Sequence, residues 1–216
     1  MISVNKNIFA SLAFVCLSVW AYAQESRNST PKEVRGSGRI VQEQRILAPF
    51  NTLDIDYLRG KITVEVGGTA SSLDAQLDDN LRPFLRIEEK ENRLKISLRD
   101  AQGSPVWAVD ESIKVVIKTP ALDRLVYNAN GTLTVSGLSG DSFSFANKAN
   151  GTVTLRGEVK NLDVISTANG LIQAEELVAD WAKVVTQGNA AIRVNAKELK
   201  LVKSGNAQIS NVSEGP

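Results

Sequence analysis

Carboxylates are the leading candidates for catalytic groups in this sequence. The chain contains no histidine and a single cysteine, Cys16. Serine–histidine and cysteine–histidine nucleophilic sites depend on histidine, and most transition-metal sites need several histidine or cysteine ligands. Neither common phosphate-binding glycine loop is present. An enzyme built on this sequence would therefore have to rely on aspartate or glutamate.

The carboxylates that occur in pairs are scattered along the chain. Asp54 and Asp56 share the outward side of an alternating strand. The other pairs are neighbours in sequence, at Asp78/Asp79, Asp110/Glu111 and Glu175/Glu176. Some β-helix enzymes cleave acidic polysaccharides with clustered aspartates, Ca²⁺ and a basic residue, but these pairs recur at no regular spacing. We expect them on solvated surfaces or turns, and predict no catalytic residue, no metal and no cofactor; Asp54 and Asp56 are the pair to test for activity.

A phrase that recurs five times dominates the second half of the sequence. The instances are LDRLVYNANGTLTV, FSFANKANGTVTL, LDVISTANGLIQA, WAKVVTQGNAAIRV and LKLVKSGNAQI. Their central asparagines are Asn130, Asn150, Asn169, Asn189 and Asn206, at spacings of 20, 19, 20 and 17 residues. The apolar residues three positions later are Leu133, Val153, Ile172, Ile192 and Ile209. The two matching columns define an internal repeat.

The repeat predicts an all-β fold. Each unit contains two short alternating strands joined by a small–Asn–small turn, and no stretch has the apolar period of a helix. Helical repeats are thereby excluded, and the mixed inward residues do not match a leucine-rich repeat. We predict a single-stranded right-handed parallel β-helix, a solenoid with coils of about 20 residues, in which each strand stacks on its equivalent in the next coil.

The stretch from Gly38 to Thr119 alternates in the same way but repeats poorly. Leu53–Tyr57 and Lys61–Val66 are typical of strands with one buried face. We predict longer, less regular coils or a strand-rich cap to the same rod, because solenoids protect their end strands. The charged segment Glu88–Arg93 is predicted to be a hairpin turn, and Asn80–Leu85 could form at most one helical turn.

The asparagine column, Asn130, Asn150, Asn169, Asn189 and Asn206, has two interpretations. In the structural one, asparagine tolerates the backbone of a sharp corner and stacked amides pass hydrogen bonds from coil to coil. In the functional one, the row of amides binds sugar hydroxyls. We favour the structural interpretation.

The first residues indicate export. Lys6 precedes an apolar run from Ile8 to Trp20, and Ala21–Tyr22–Ala23 has the small–x–small pattern of a signal-peptidase site. We predict a signal peptide over residues 1–23, which removes Cys16, a disordered tether over 24–36, and one β-helix domain over 37–216. The expected location is the periplasm, the outer surface or the medium, with no transmembrane segment after cleavage.

Charge and aromatic content restrict the partners. Lysine and arginine total 25 against 24 aspartate and glutamate, and the two signs are interspersed. A nucleic-acid partner is excluded, since it would need a basic stripe, and docking to anionic lipid is not expected either. Trp181 occupies an apolar repeat position and is predicted to pack. Trp107, in GSPVWAVD, is the candidate surface contact.

Three features together resemble the head GIN domain family. They are GSGRIVQEQRILAPFNTLDI at 36–55, DDNLRPFLRIEEKENRLKISL at 78–98, and the ANG-type repeats. The family groups proposed auto-transporter adhesins of exported Bacteroidetes proteins, and the resemblance covers about Gly36 to Val212. It implies a right-handed parallel β-helix with no recognised catalytic residues and a role in cell adhesion. The last two repeats depart from the pattern, reading Gly–Asn–Ala instead of Ala–Asn–Gly.

Three functions are compatible with these observations. The favoured one is an exported, non-catalytic adhesion or interaction module of the cell envelope that binds glycan or protein. The alternative is a structural or stress-associated envelope protein with a protein partner. An aspartate-dependent polysaccharide lyase or hydrolase is disfavoured by the missing histidine and the unclustered carboxylates. The ligand, the binding face and the oligomeric state stay open.

Overall fold

Strands supply nearly all the regular structure of this computed structural model, which describes residues 31–110 and 112–214. The strands are β1 (Lys32–Val34), β2 (Ile40–Leu47), β3 (Thr52–Asp56), β4 (Gly60–Val66), β5 (Ser71–Asp78), β6 (Leu85–Lys90), β7 (Arg93–Leu98), β8 (Val106–Ala108), β9 (Ile113–Thr119), β10 (Arg124–Asn128), β11 (Thr132–Asn147), β12 (Thr152–Ser166), β13 (Leu171–Thr186), β14 (Ala191–Lys203) and β15 (Gln208–Asn211). Two 3₁₀ turns, Arg82–Phe84 and Val212–Glu214, are the helical elements of these residues. The all-β prediction is confirmed. None of the described helices is long and apolar enough to cross a membrane.

Successive repeats pair as parallel strands. The sheet runs from β10 through β11, β12, β13 and β14 to β15, and each pair is parallel. The apolar column is in register along the stack, as Leu133, Val153, Ile172, Ile192 and Ile209. The alignment of the repeats on their asparagines is therefore confirmed by the strand register.

Alternation of side chains builds the core. Inward positions of β11 to β13 are buried while their neighbours are half-buried or exposed. Phe143 and Phe145 on β11, with Tyr127 on β10, are the largest fully buried side chains of the described residues. Full burial of such a side chain contributes roughly 1.5–3 kcal/mol. Because each repeat buries its apolar face only against its neighbours, stacking is what stabilises the strands.

The first half of the chain extends this stack and then covers its end. β3 and β4 pair in parallel with β10 and β11, and β7 and β9 pair in parallel with β3 and β4 on the other side. Antiparallel β6 lies on β7, and antiparallel β5 and β2 follow β9. The alternating segments of this half therefore form strands, some in parallel and some in antiparallel pairs. The stacking order differs from the chain order, because β3 and β4 lie between two later pairs.

The predicted tether needs correction at its C-terminal end. β1, inside the expected disordered segment 24–36, pairs in parallel with β8. The backbone N–H of Gly36 donates to Asp110 Oδ2 at 3.0 Å. These contacts use the backbone, so a polar segment without apolar alternation can still form a strand. The predicted signal peptide and the start of the tether lie outside the described residues.

Candidate functional site

The corner between β3 and β4 contains one more residue than the corner between β10 and β11, which stacks on it. Asp56 pairs with Asn128, and Lys61 pairs with Thr132. Four residues, 57–60, therefore face three residues, 129–131, across these matched positions. Tyr57 has a φ of 59°, which is uncommon for a large side chain and typical of a bulge or a functional site. The extra residue turns the Tyr57 side chain to the corner surface, where it is half-buried.

Hydrogen bonds connect the five asparagines of the repeat into a ladder. In each step the backbone N–H of one asparagine donates to Oδ1 of the asparagine in the preceding repeat. The distances are 3.2 Å from Asn150 to Asn130, 3.0 Å from Asn169 to Asn150, 3.0 Å from Asn189 to Asn169 and 3.3 Å from Asn206 to Asn189. The donors are thus backbone groups and the acceptors are side-chain amides, so hydrogen bonds pass from repeat to repeat through the asparagines.

The ladder also fixes which side-chain atom stays available. A backbone N–H can only donate, so the atom that faces it must be the amide oxygen. The Nδ2 groups of the four accepting asparagines consequently point away from these bonds, and for Asn150, Asn169 and Asn189 no protein acceptor for Nδ2 lies within the part of the chain that the structure describes. The asparagine oxygens therefore accept hydrogen bonds from the backbone, and the Nδ2 groups present N–H donors to solvent.

A cleft lies where the ladder begins. Its volume is about 220 Å³, and Trp107 and Tyr57 line it together with Asn130 and Asn150. Trp107 is 39% exposed although its strand neighbours Val106 and Ala108 are buried. The predicted contact and the start of the asparagine ladder thus meet in one cleft. Its role in binding stays a prediction.

Two cationic side chains also line the cleft. Arg59 and Lys148 line it, and its described lining includes no carboxylate. Arg59 follows the Tyr57 bulge at the corner position that corresponds to Asn130 of the next repeat. The Arg99 guanidinium lies 5.3 Å from the centre of the Tyr57 ring, a cation–π contact that holds the ring in place. Aromatic faces, amide donors and cations are the groups that bind saccharides and anions.

Asp54 and Asp56 form ion pairs with basic side chains. Asp54 pairs with Arg93 at 3.1 Å, and Asp56 pairs with Arg99 at 3.4 Å and Lys95 at 3.6 Å. Both acids are thereby neutralised on the surface of the first strands. Among the described residues, no group of three or more acidic or cysteine side chains has the arrangement of a metal site.

Of the remaining pairs, Asp78/Asp79 and Asp110 contact one segment, residues 36–38. Asp78 is buried and accepts from the Gly38 N–H and the Ser112 hydroxyl. The Ser37 hydroxyl and then Arg39 hold the pKa of the half-buried Asp79 carboxyl below its usual value. Glu175 and Glu176 pair with Arg193 and Arg156 respectively. Asp110 binds the Gly36 backbone, and Glu111 is outside the described residues.

Sequence reasoning missed Tyr57, Arg59 and Lys148. The signal for Lys148 was present, since it precedes an asparagine of the column by two positions. For Tyr57 and Arg59, the sequence LRG could have been aligned with the ANG turns. The register between β4 and β11 makes that alignment visible.

Solved structures with the same fold come from Bacteroidetes. "A putative adhesin" from Bacteroides fragilis is 18% identical, with a TM-score of 0.57, over 83% of this chain and 100% of that chain. A "putative adhesin" from Parabacteroides distasonis is 18% identical, with a TM-score of 0.51, over 84% of this chain and 100% of that one. No curated protein matches the sequence.

A family model matches residues 50–213, which include the cleft residues Tyr57 and Trp107 and all five repeats. Its description reads "Putative auto-transporter adhesin, head GIN domain". The match covers well over half of the sequence and agrees with the resemblance of the ANG repeats. The chain therefore belongs to the head GIN domain family of adhesin-like proteins.

Proposed function

We propose that this protein is an exported, non-catalytic adhesion module that binds glycan at the cleft formed by Trp107, Tyr57 and the first asparagines of the ladder. The observation that carries the proposal is the meeting of two aromatic side chains with amide donors in one open cleft. Aromatic faces stack on the apolar faces of sugar rings, and amides bond to their hydroxyls. Membership of an adhesin-like family supports this function.

The proposed architecture is a right-handed parallel β-helix. Parallel pairing at a spacing of 17 to 20 residues supports it, since each repeat returns to the same position on the sheet. In such a rod, the corner that carries the asparagines forms a straight row. A rigid row suits an adhesin, because little conformational entropy is lost when a ligand binds.

The proposed lack of catalysis follows from the placement of the carboxylates. Asp54 and Asp56 are held in ion pairs with Arg93, Lys95 and Arg99. Neither belongs to the lining of the cleft. A glycosidase needs two carboxyl groups on either side of the scissile bond, and the described residues that line the cleft include no carboxylate.

Export is indicated by the adhesin-like family, and the signal-peptide pattern at Ala21–Tyr22–Ala23 supports a cell-envelope location. We propose that the chain acts in the periplasm, at the outer surface or in the medium after cleavage near Gln24.

A protein partner in the envelope is the second candidate. On β14, Leu201 and Val202 are each 48% exposed. The half of β14 from 198 to 203 pairs with β13, while β15 covers only residues 191–194. An uncovered strand edge with apolar side chains is a site where another chain can add a strand.

A glycan and polysaccharide binding screen with simultaneous product analysis tests the proposed function. We expect saturable binding of at least one glycan without product, and loss of that binding in Trp107→Ala. Ile46→Ala is the matched control, because Ile46 is 91% exposed on β2 and does not line the cleft. Cleavage products would make the protein an enzyme and direct attention to Asp54 and Asp56. Absence of any glycan binding would favour the protein partner.

A further inference from the structure

A second polar column runs beside the asparagine ladder. Its members precede the asparagines by two positions and are Asn128, Lys148, Thr167, Gln187 and Ser204. Small buried residues such as Ala129, Ala149 and Ala168 separate the two columns, so both columns point outward from one corner. We call the two columns together the polar strip.

The polar strip is rich in donors and lacks negative charge. Its ten members include one cation, Lys148, and no carboxylate. Lys148 is exposed and has no ion-pair partner among the residues that the structure describes. The ladder leaves the asparagine Nδ2 groups free to donate outward, so N–H donors dominate the asparagine column, whereas in the second column the Asn128 Nδ2 group is already bonded to Asp56 Oδ1. Such a surface complements a ligand that is rich in oxygen acceptors and carries anionic groups.

The strip is long and narrow, which favours a linear ligand. Stacked strands are about 4.8 Å apart, so the four steps from Asn130 to Asn206 span about 19 Å. The cleft at one end holds about 220 Å³. This volume is below the roughly 300–1,000 Å³ of clefts that enclose drug-sized ligands. One ring-sized unit fits the cleft, and further units of a chain would continue along the row.

We infer that the glycan is a linear acidic polysaccharide, with one sugar ring stacked on Trp107 in the cleft, a carboxylate beside Lys148 and the following units along the asparagine ladder. This inference rests on the proposed glycan-binding function and specifies its ligand class. A protein segment is less suited, because its backbone would find donors and few acceptors in the strip.

Oligogalacturonates and their fully methyl-esterified forms test the charge requirement on the purified full chain. Esterification keeps the ring and the linkage and removes the negative charge. We expect the acidic trimer to bind at least about tenfold more tightly than its ester, the effect of one charge-assisted hydrogen bond. We also expect salt to weaken binding of the acid but not of the ester. Titration calorimetry measures both.

Two substitutions separate the roles of the strip residues. Lys148→Gln should lower the affinity for the acidic trimer by about tenfold and so remove most of its advantage over the ester. Asn169→Asp keeps an oxygen for the Asn189 N–H and replaces the outward donor with an anion. This variant should bind acidic hexamers more weakly than the wild type does. Its affinity for dimers, which reach only the cleft, should not change. An unchanged thermal midpoint in each variant would exclude misfolding as the cause.

The outcomes separate this inference from the proposed function. Acid selectivity that Lys148→Gln abolishes, with affinity rising from dimer to hexamer, supports the linear acidic ligand. Equal, Trp107-dependent binding of acid and ester overturns the inference and leaves glycan adhesion intact. Failure of both oligomers to bind overturns the inference for uronic-acid chains, and the broad glycan screen then decides the proposed function independently.

Discussion

Tyr127 places a phenolic hydroxyl in the interior of the stack. The side chain is fully buried, and within the described structure its hydroxyl has no hydrogen-bond partner. It belongs to a column of buried polar groups that continues in register through Asn147, Ser166 and Thr186. Each of these four residues has a buried polar atom without a partner. An orphaned polar group costs roughly 1–3 kcal/mol, so this column lowers the stability of the fold unless water occupies it.

Tyr127→Phe is therefore expected to stabilise the protein by about 1 kcal/mol, because it removes an unpaired hydroxyl and keeps the ring. Urea unfolding monitored by circular dichroism measures the change. A less stable variant would instead indicate that a buried water molecule bonds to this hydroxyl.

The same residue predicts a loss of stability at alkaline pH. Burial raises the pKa of Tyr127 well above its ordinary value. Above about pH 10 the unfolded chain can release the phenolic proton while the folded chain retains it, so the free energy of unfolding falls as pH rises. We expect the difference in stability between the wild type and Tyr127→Phe to grow between pH 9.5 and roughly 11. A constant difference would contradict the raised pKa.

Close backbone approach explains the glycine that follows each Ala–Asn pair. A Cβ added at Gly151 would lie 2.2 Å from the carbonyl oxygen of Gly131 in the preceding repeat. Real contacts of this type are far longer, so the repeats would have to separate at the corner.

Gly151→Ala is expected to destabilise the protein by about 1–3 kcal/mol through this clash. Gly68→Ala is the control, since its added Cβ would meet no atom closer than 3.9 Å. Thermal unfolding of the two variants provides the comparison. Equal stabilities would mean that the stack can absorb the methyl group.

At the scale of elements, the asparagine ladder connects the corners of neighbouring repeats. Each Oδ1 accepts the N–H that begins the next turn, a group that strand pairing leaves unsatisfied. The ladder therefore supports the parallel register that the apolar column also specifies. Asparagine combines this acceptor with a side chain short enough for the turn.

Asn169→Ala should lower the free energy of unfolding by about 1 kcal/mol, because the Asn189 N–H loses its acceptor. Asn169→Asp should retain most of the stability, since a carboxylate oxygen can accept the same bond. Thr167→Ala, at the neighbouring exposed position, is the control. Equal losses in the Ala and Asp variants would contradict the role of Oδ1 as the structural group.

The repeats of the second half could be predicted from sequence because their signals are local. Strand alternation, the asparagine spacing and the apolar column all appear within about 20 residues. The first half could not be predicted in the same way. β3 and β4 stack between β10/β11 and β7/β9. This order is set by contacts between residues more than 30 positions apart in the sequence. The cleft depends on that order, since Trp107 reaches the corner of Tyr57 only after β7 and β9 have stacked on β3 and β4.

At the scale of the whole molecule, the two ends of the stack are protected unequally. Antiparallel β2, β5 and β6 cover the end formed by β7 and β9. At the other end, β15 has four residues and pairs with β14 alone among the described strands. Because each repeat is stabilised by its neighbours, a terminal repeat with one neighbour should open more easily than an internal one.

Two isoleucines of the apolar column, Ile172 and Ile209, test whether the terminal repeat is less stable than an internal one. Ile172 is fully buried between Val153 and Ile192, whereas Ile209 is partly buried on the last strand and pairs with Ile192 on one side. Ile172→Ala should cost about 2–5 kcal/mol and accelerate amide exchange throughout β11 to β14. Ile209→Ala should cost clearly less, because less surface is lost from the core.

Hydrogen exchange measured by mass spectrometry distinguishes the two effects. In the wild type, amides of β15 should exchange faster than those of β12, which pairs on both sides. Ile209→Ala should accelerate exchange in β15 and leave β12 unchanged. Equal acceleration of both strands would mean that the stack unfolds as one cooperative unit. The polar strip would then keep its full length whenever the protein is folded, whereas fraying at β15 would shorten it from the Asn206 end and leave the Trp107 cleft intact.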